Sequence, residues 1–320
     1  MKSRSPKVQG PEVRRSRGPG VLGSGEDGFS LPELLVSIMV LSVVVGITAQ
    51  LLLQTVNGQQ TMWNRTQMHS SVRGAIELLQ QEVGQAGLVT LPGPVTLTGA
   101  VAIGAQVVAV SSTAGMFVGE QLLIDTGAIQ ETVTVTALDA GANQITATFA
   151  QAHAAGAQVS VAGGFAHGIV PPSIANGSTG GVLKLFGDVN GNGQMVYVEY
   201  ICDTASNRLS RNMMAWDATT KPALTPSMIL LSNVVANPGG SPCFSYQTEV
   251  VSGTTYVTAV AITLSVQTQE IDPVSRVFQI ETKTLLNVSP RNVFYTWQMA
   301  SMQETNRIQP MPASILALLP

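Results

Sequence analysis

An apolar run near the N-terminus constrains this chain more than any other feature. The 25 positions from residue 29 to residue 53, FSLPELLVSIMVLSVVVGITAQLLL, contain one ionisable side chain, Glu33. As a helix rising about 1.5 Å per residue, the run is long enough to cross a hydrocarbon core of about 30 Å. We therefore predict a single transmembrane helix over residues 29–53.

Basic residues precede the apolar run and predict its orientation. The first 28 residues carry six basic and three acidic side chains, so the whole-chain charge of −3 leaves −6 on the remainder. Because basic flanks stay in the cytoplasm, we expect the leader there and the chain after about residue 55 on the other side. The acidic balance argues against a nucleic-acid surface built on clustered positive charge, and no direct nucleic-acid binding is expected.

A small residue that suits a cleavage site stands before the apolar run. An ordinary secretory signal is cut after a shorter apolar core, which is then lost. Cleavage after Gly28 would instead retain the helix and create an α-amino group on Phe29. Glu33 would lie one helical turn from that amine, and Pro32 would fall in the first turn, where a missing N–H costs nothing. The plainer alternative is a signal anchor with an incidental glutamate near the membrane interface.

The order Gly28, Phe29 and Glu33 before an apolar stretch resembles the class III signal of type IV prepilins and pseudopilins. The resemblance implies that a prepilin peptidase cuts after Gly28 and methylates the amine of Phe29. It also implies that Glu33 pairs with the Phe29 amine of a neighbouring subunit as the helices bundle. The implied partners are other pilins, the peptidase and the inner membrane.

Helical periodicity continues beyond the membrane segment and predicts one helix over about residues 30–86. The segment IELLQQEVGQAGL, residues 76–88, is similar to the helix end of large minor pilins of the PilW type. The segment NVSPRNVF, residues 287–294, resembles the strand exit of the same proteins. The resemblance implies an α+β fold in which a long N-terminal pilin helix packs on an antiparallel β-sheet head.

Composition divides the rest of the chain. Residues 92–163 are rich in Val, Thr, Ala and Gly with short alternating runs, which predicts a small all-β module inserted after the helix. Alternating runs over residues 164–290 predict the pilin-like β head. The tail, residues 291–320, is weakly periodic, and we expect it to be partly mobile with a short helix near 294–303. With the leader at 1–28 and the helix at 29–90, this completes the predicted organisation.

Cys202 and Cys243 are the two cysteines of the chain, and neither belongs to a metal-binding motif. In an exported protein an isolated pair predicts one disulfide, worth roughly 3 to 4 kcal/mol in the chain-entropy model. In a reducing compartment the same pair would be two buried thiols. The topology of the chain decides between these alternatives.

The stretch DVNGNGQMVYVE has the spacing of a calcium-binding loop, with a glycine at the turn. The alternative is a β-hairpin turn, because Asn-Gly-Asn-Gly is a strong turn signal and MVYVEY has the pattern of a strand. Calcium is the only cofactor that the sequence suggests. Its oxygen ligands would be Asp188, Asn190, Asn192, the carbonyl of Gln194, and Glu199.

No catalytic motif appears in the sequence, and we do not expect an enzyme. His153 and His167 lack a third ligand nearby and are interpreted as surface or turn residues. The family resemblance implies a minor pilin of a type IV pilus, first a single-pass protein of the bacterial inner membrane and then part of the pilus at the cell surface. The alternatives are a pseudopilin of a type II secretion system and a membrane-anchored adhesin or binding protein that never polymerises.

Overall fold

The longest element is a single helix, α1 (Leu31–Gln85), which confirms the predicted long helix. The structure is a computed structural model and describes Gly28 and residues 30–320. The predicted leader up to residue 27, together with Phe29, therefore lies outside the described residues. The helix ends before Gly87, whose φ of +83° is a left-handed conformation that glycine adopts without strain.

The chain divides into a first unit that ends at Val56 and a second unit, Asn57–Pro320. In the first unit, the described part of α1 is exposed along its whole length. In the second unit, one face of α1 is buried from Met68 to Val83. The two halves of one helix therefore have different surroundings, and only the second half contributes to a protein core.

Two antiparallel sheets form the head, residues 164–290, of the second unit. The first has the strand order β12-β11-β10-β9, and the second has the order β13-β15-β14 with β16 paired to β15. Apolar residues of both sheets meet the buried face of α1 in one core. The strands are β9 (Val182–Gly187), β10 (Val196–Asp203), β11 (Arg208–Ala215), β12 (Ile229–Ser232), β13 (Val234–Val235), β14 (Phe244–Val251), β15 (Thr254–Gln267) and β16 (Ile280–Val288).

Seven short strands before the head form the module, with its own apolar core. They pair antiparallel in the orders β1-β7-β3-β4 and β2-β6-β5. The strands are β1 (Val95–Thr96), β2 (Gly104–Ala109), β3 (Gln121–Ile124), β4 (Glu131–Thr134), β5 (Ala137–Asp139), β6 (Gln144–Phe149) and β7 (Gln158–Val161). A long apolar helix with several antiparallel sheets confirms the α+β class.

The tail is part of the packed structure, contrary to the expectation of partial mobility. It contains α2 (Arg291–Ser301), where a helix near 294–303 was predicted, and α3 (Ala313–Leu318). Between them, β17 (Ile308–Gln309) pairs in parallel with β8 (Gly164–Phe165). Ile315 and Leu318 are buried in a cluster with strand residues such as Tyr197. The sheet β9–β12 therefore has α1 on one face and the tail on the other.

The side chain of Gln309 joins the tail to the module. Its Nε2 donates to the carbonyls of Gln121 at 2.7 Å and Ala162 at 2.6 Å, and its Oε1 accepts from the Gln121 N–H at 2.8 Å. Gln309 is fully buried. The bond to Ala162 is buried and the two bonds to Gln121 are partly buried, so the loss of the Gln309 side chain would leave polar groups without partners.

Candidate functional site

The candidate site begins at the first turn of α1. Ser30 precedes the helix, and the Glu33 carboxylate accepts hydrogen bonds from its backbone N–H at 3.4 Å and its hydroxyl at 3.2 Å. A serine with a glutamate three residues later that bonds back to its N–H is half of a capping box. Glu33 therefore has a local structural role in addition to the predicted one. Its carboxylate stays exposed.

Gly28 is also exposed, and a Cβ built on it would have no heavy atom within 4 Å. No packing contact in the described residues requires a glycine at this position. A larger side chain at Gly28 would therefore leave the fold unchanged, which makes this position a clean test of processing. Phe29, the residue predicted to carry the new amine, lies outside the described residues.

The apolar run after Glu33 presents its side chains to the surroundings. By length and composition, α1 is the one described helix that qualifies as a candidate membrane span, and its apolar window is not buried. The few hydroxyls in this stretch donate to carbonyls one turn back, as Ser42 does to Ile38 and Thr48 to Val44. Such bonds leave no polar group unsatisfied in an apolar medium. The segment is compatible with a membrane anchor.

A buried ionic cluster fixes the second half of α1 to the head. Glu82 is almost fully buried, and its carboxylate accepts two bonds from Arg211 Nε and a 2.5 Å bond from Arg211 Nη2. The hydroxyl of Tyr200 donates to the same carboxylate at 2.5 Å. Burial raises the pKa of Tyr200, and the Glu82 carboxylate raises it further. The phenol therefore stays a hydrogen-bond donor throughout the physiological range.

Cys202 at the end of β10 and Cys243 before β14 form a disulfide with a Cα–Cα distance of 6.4 Å. Both residues belong to the core beneath α1. The bond links the two sheets of the head, because β10 and β14 belong to different sheets. No described cysteine is free.

The stretch predicted to bind calcium is the turn of a β-hairpin. The Asp188 carboxylate accepts the backbone N–H groups of Asn192 at 3.0 Å and Gly193 at 2.8 Å. Asn192 Oδ1 accepts the N–H of Gln194 at 3.1 Å. These bonds are typical of a turn closed by its own side chains. The alternative of a hairpin turn, in which MVYVEY is a strand, matches the pairing of β9 with β10.

Glu199 does not join Asp188 in this structure. It lies opposite Lys184 of β9, so four residues of strand, or about 13 Å, separate that position from Asp188. The Glu199 carboxylate accepts bonds from Lys221 Nζ and the Tyr197 hydroxyl, each at 2.6 Å. The predicted calcium ligands Asp188 and Glu199 therefore belong to two separate hydrogen-bonded groups, because β10 carries Glu199 away from the turn.

The interpretation of His153 as a surface or turn residue is wrong. Its ring is buried, with Nε2 2.7 Å from Glu131 and Nδ1 3.3 Å from Asp125. Both ring nitrogens are thus engaged, and the described residues contain no group of three or more His, Cys, Asp or Glu arranged to hold a metal ion. His167 does lie in a turn, half-buried, beside a groove of about 750 Å³, and burial lowers its pKa.

Sequence reasoning missed a buried acid in the module. Glu120 is fully buried; its Oε2 accepts the Phe117 N–H at 3.3 Å, and its Oε1 has no hydrogen-bond partner. Burial raises the pKa of Glu120 to about 8. In the sequence GEQLL this residue has no feature that separates it from an exposed turn glutamate.

Comparison with protein-family models, with curated proteins and with solved structures finds no match to this chain.

Proposed function

We propose that this protein is a minor pilin subunit of a type IV pilus, processed after Gly28 and assembled through α1. The observation that carries the proposal is the exposed apolar first half of α1 with one carboxylate in its first turn. An apolar surface of this length needs either lipid or other apolar helices as its surroundings. A pilin subunit has lipid around this surface while it is in the bilayer, and other apolar helices around it after assembly into the filament.

Glu33 gives the proposed assembly its register. A single carboxylate in a membrane helix costs about 2.5 to 3.5 kcal/mol on insertion scales, so it favours a cationic partner. The proposed partner is the Phe29 amine of a neighbouring subunit, released by cleavage. The bonds from Ser30 are long, at 3.2 and 3.4 Å, and leave the exposed carboxylate able to accept a stronger charged donor.

The rest of the structure suits an exported subunit with a structural role. The disulfide between Cys202 and Cys243 is typical of proteins that mature outside the cytoplasm. The Glu82 and Arg211 pair, together with the core beneath Val72 and Leu79, attaches the second half of α1 to the head. A rigidly attached helix transmits the register of the bundle to the head that it carries.

Two substitutions test the proposal in cells that assemble the filament. Mass spectrometry of the N-terminus should find a methylated Phe29 in the wild type and an intact leader in Gly28→Val. The matched control is Gly58→Val, because Gly58 also has no heavy atom within 4 Å of a built Cβ. Equal processing of Gly28→Val and the wild type would contradict the proposal.

Glu33→Gln separates the proposed charge from the capping role. Glutamine at this position can still accept the Ser30 N–H, whereas alanine cannot. If the charge sets assembly, Gln and Ala variants should both be processed but absent from sheared filaments. If Glu33→Gln assembles as the wild type does, the carboxylate only caps the helix and the assembly role is refuted.

A further inference from the structure

A loop before β16 exposes an unusual number of large apolar side chains. This apolar loop, residues 270–280, comprises most of the connection from β15 to β16 and the first residue of β16, and five of its apolar side chains are between 41% and 68% exposed. An exposed cluster of this kind, in a loop rather than a core, marks an interaction surface. The five residues are Ile271, Val274, Val277, Phe278 and Ile280.

One buried carboxylate, that of Asp272, organises the apolar loop. Asp272 is buried, and its carboxylate accepts from the Ser275 N–H at 3.1 Å, the Ser275 hydroxyl at 2.6 Å and Gln279 Nε2 at 2.8 Å. The hydroxyls of Ser275 and then Thr61 hold the pKa of Asp272 below its usual range. The carboxylate thus stays charged and fixes the loop. The exposed apolar side chains therefore belong to a loop whose conformation is fixed by internal hydrogen bonds.

Backbone hydrogen bonds also brace the apolar loop. The Asp272 N–H donates to the Val277 carbonyl at 3.1 Å, and the Arg276 N–H donates to the Asp272 carbonyl at 2.8 Å. The Thr268 N–H donates to the Gln279 carbonyl at 2.9 Å. Each backbone group that is bonded within the protein lowers the cost of contact with an apolar medium.

Polar contacts tie the apolar loop to the start of the second half of α1. Gln60 Nε2 donates to the Glu270 carboxylate at 3.0 Å, and the Thr61 hydroxyl donates to Asp272. Arg65 Nε donates to the side chain of Gln279. Trp63, which is 72% exposed, lines a groove together with Glu270. The loop and an exposed tryptophan are thus held at the same part of the helix.

We propose that the apolar loop is a membrane-contacting surface that seats in the interfacial layer of the bilayer holding α1. Thr61 follows Leu53, the last residue of the apolar run, by eight residues, and a chain of that length spans at most about 28 Å even when extended. Thr61, which holds the loop through Asp272, is therefore tethered close to one membrane surface. Trp63 and Arg276 are residue types that favour the headgroup layer. The inference rests on the membrane-inserted form of the proposed subunit.

The test uses the full chain in vesicles of phosphatidylethanolamine and phosphatidylglycerol. Val274→Cys receives an environment-sensitive fluorophore, and acyl chains carrying bromine report lipid contact by quenching. Val40→Cys in the apolar run and Val250→Cys on β14, whose valine is 65% exposed, are the controls. The disulfide keeps the native cysteines from reacting. Labels on Val40→Cys and Val274→Cys should both lose emission with brominated lipid, whereas the label on Val250→Cys should not.

Each other outcome overturns the inference in a different way. Quenching of Val40→Cys without quenching of Val274→Cys refutes the membrane contact of the loop and leaves the anchor intact. The label on Val274→Cys could instead show a blue shift that depends on protein concentration, without quenching by brominated lipid. That result means that a second copy of the chain covers the loop, and it refutes the membrane contact. If neither Val40→Cys nor Val274→Cys is quenched, the membrane anchor itself is refuted, and so is the proposed membrane contact of the loop.

Discussion

Replacing Glu120 by glutamine should make the folded chain more stable at pH 8 and leave its stability unchanged at pH 4.5. The glutamine has nearly the same shape and is uncharged at every pH. In the wild type, burial raises the pKa of Glu120 to about 8 in the folded chain, against an ordinary value of 4.5. Between pH 4.5 and pH 8 the Glu120 carboxyl is therefore protonated in the folded state and ionised in the unfolded state. The free energy of unfolding decreases as the pH rises through this range.

The size of the effect follows from the same two values. Each tenfold difference in proton affinity corresponds to about 1.4 kcal/mol, so keeping Glu120 buried at pH 8 costs up to about 5 kcal/mol. The Phe117 N–H on Oε2 offsets only part of the charge, and Oε1 has no hydrogen-bond donor. We expect Glu120→Gln to gain a few kcal/mol at pH 8 and close to nothing at pH 4.5.

Urea unfolding of the full chain in detergent micelles, at several pH values, measures the effect. Tryptophan fluorescence is a suitable signal, because one of the three tryptophans, Trp216, has its ring 5.8 Å from that of Phe117, the backbone donor to Glu120. The matched control is Glu249→Gln, since Glu249 is exposed on β14. The reasoning is refuted if the gain from Glu120→Gln is the same at pH 4.5 and pH 8.

Two further predictions concern the attachment of α1 and the link between the sheets. Glu82→Ala should lower the free energy of unfolding by about 3 to 5 kcal/mol, because it leaves the Arg211 guanidinium without its buried partner. In urea titrations, the double variant Glu82→Met, Arg211→Met should recover most of this loss. If it recovers none, the loss does not come from the unpaired charge. Cys202→Ser with Cys243→Ser should cost about 3 to 4 kcal/mol, since the bond closes a separation of 41 residues. Thiol labelling without reductant checks the premise, and reactive thiols in the wild type would refute it.

The elements with a strong local pattern were predictable from the sequence. Helix α1 follows from one uninterrupted helical periodicity, with Gly87 marking its end. The hairpin of β9 and β10 follows from Asn-Gly-Asn-Gly between two alternating runs. In both cases the signal lies within a few neighbouring residues, so no knowledge of distant contacts was needed.

The features that depend on distant partners were not predictable. The tail has weak periodicity because Gln309 and Leu318 take their environments from the module and the head. The buried His153 has Asp125 and Glu131 as partners of its two ring nitrogens. The spacing of a calcium loop was present, but the direction of β10 removed Glu199 from it. Polar residues in the interior are where a single sequence is least informative.

The three bonds of Gln309 impose an order of events on the maturation of the chain. The module pairs strands that are close in sequence, so it can fold as soon as residue 161 has been synthesised. Its junction with the tail must wait for a residue 188 positions beyond Gln121. Until then the Ala162 carbonyl has only water as a partner, and the Gln121 carbonyl has only the Ala162 N–H, at 3.1 Å. A nascent chain therefore passes through a stage in which the module is finished and the junction is still open, and chaperones or proteases would act there first.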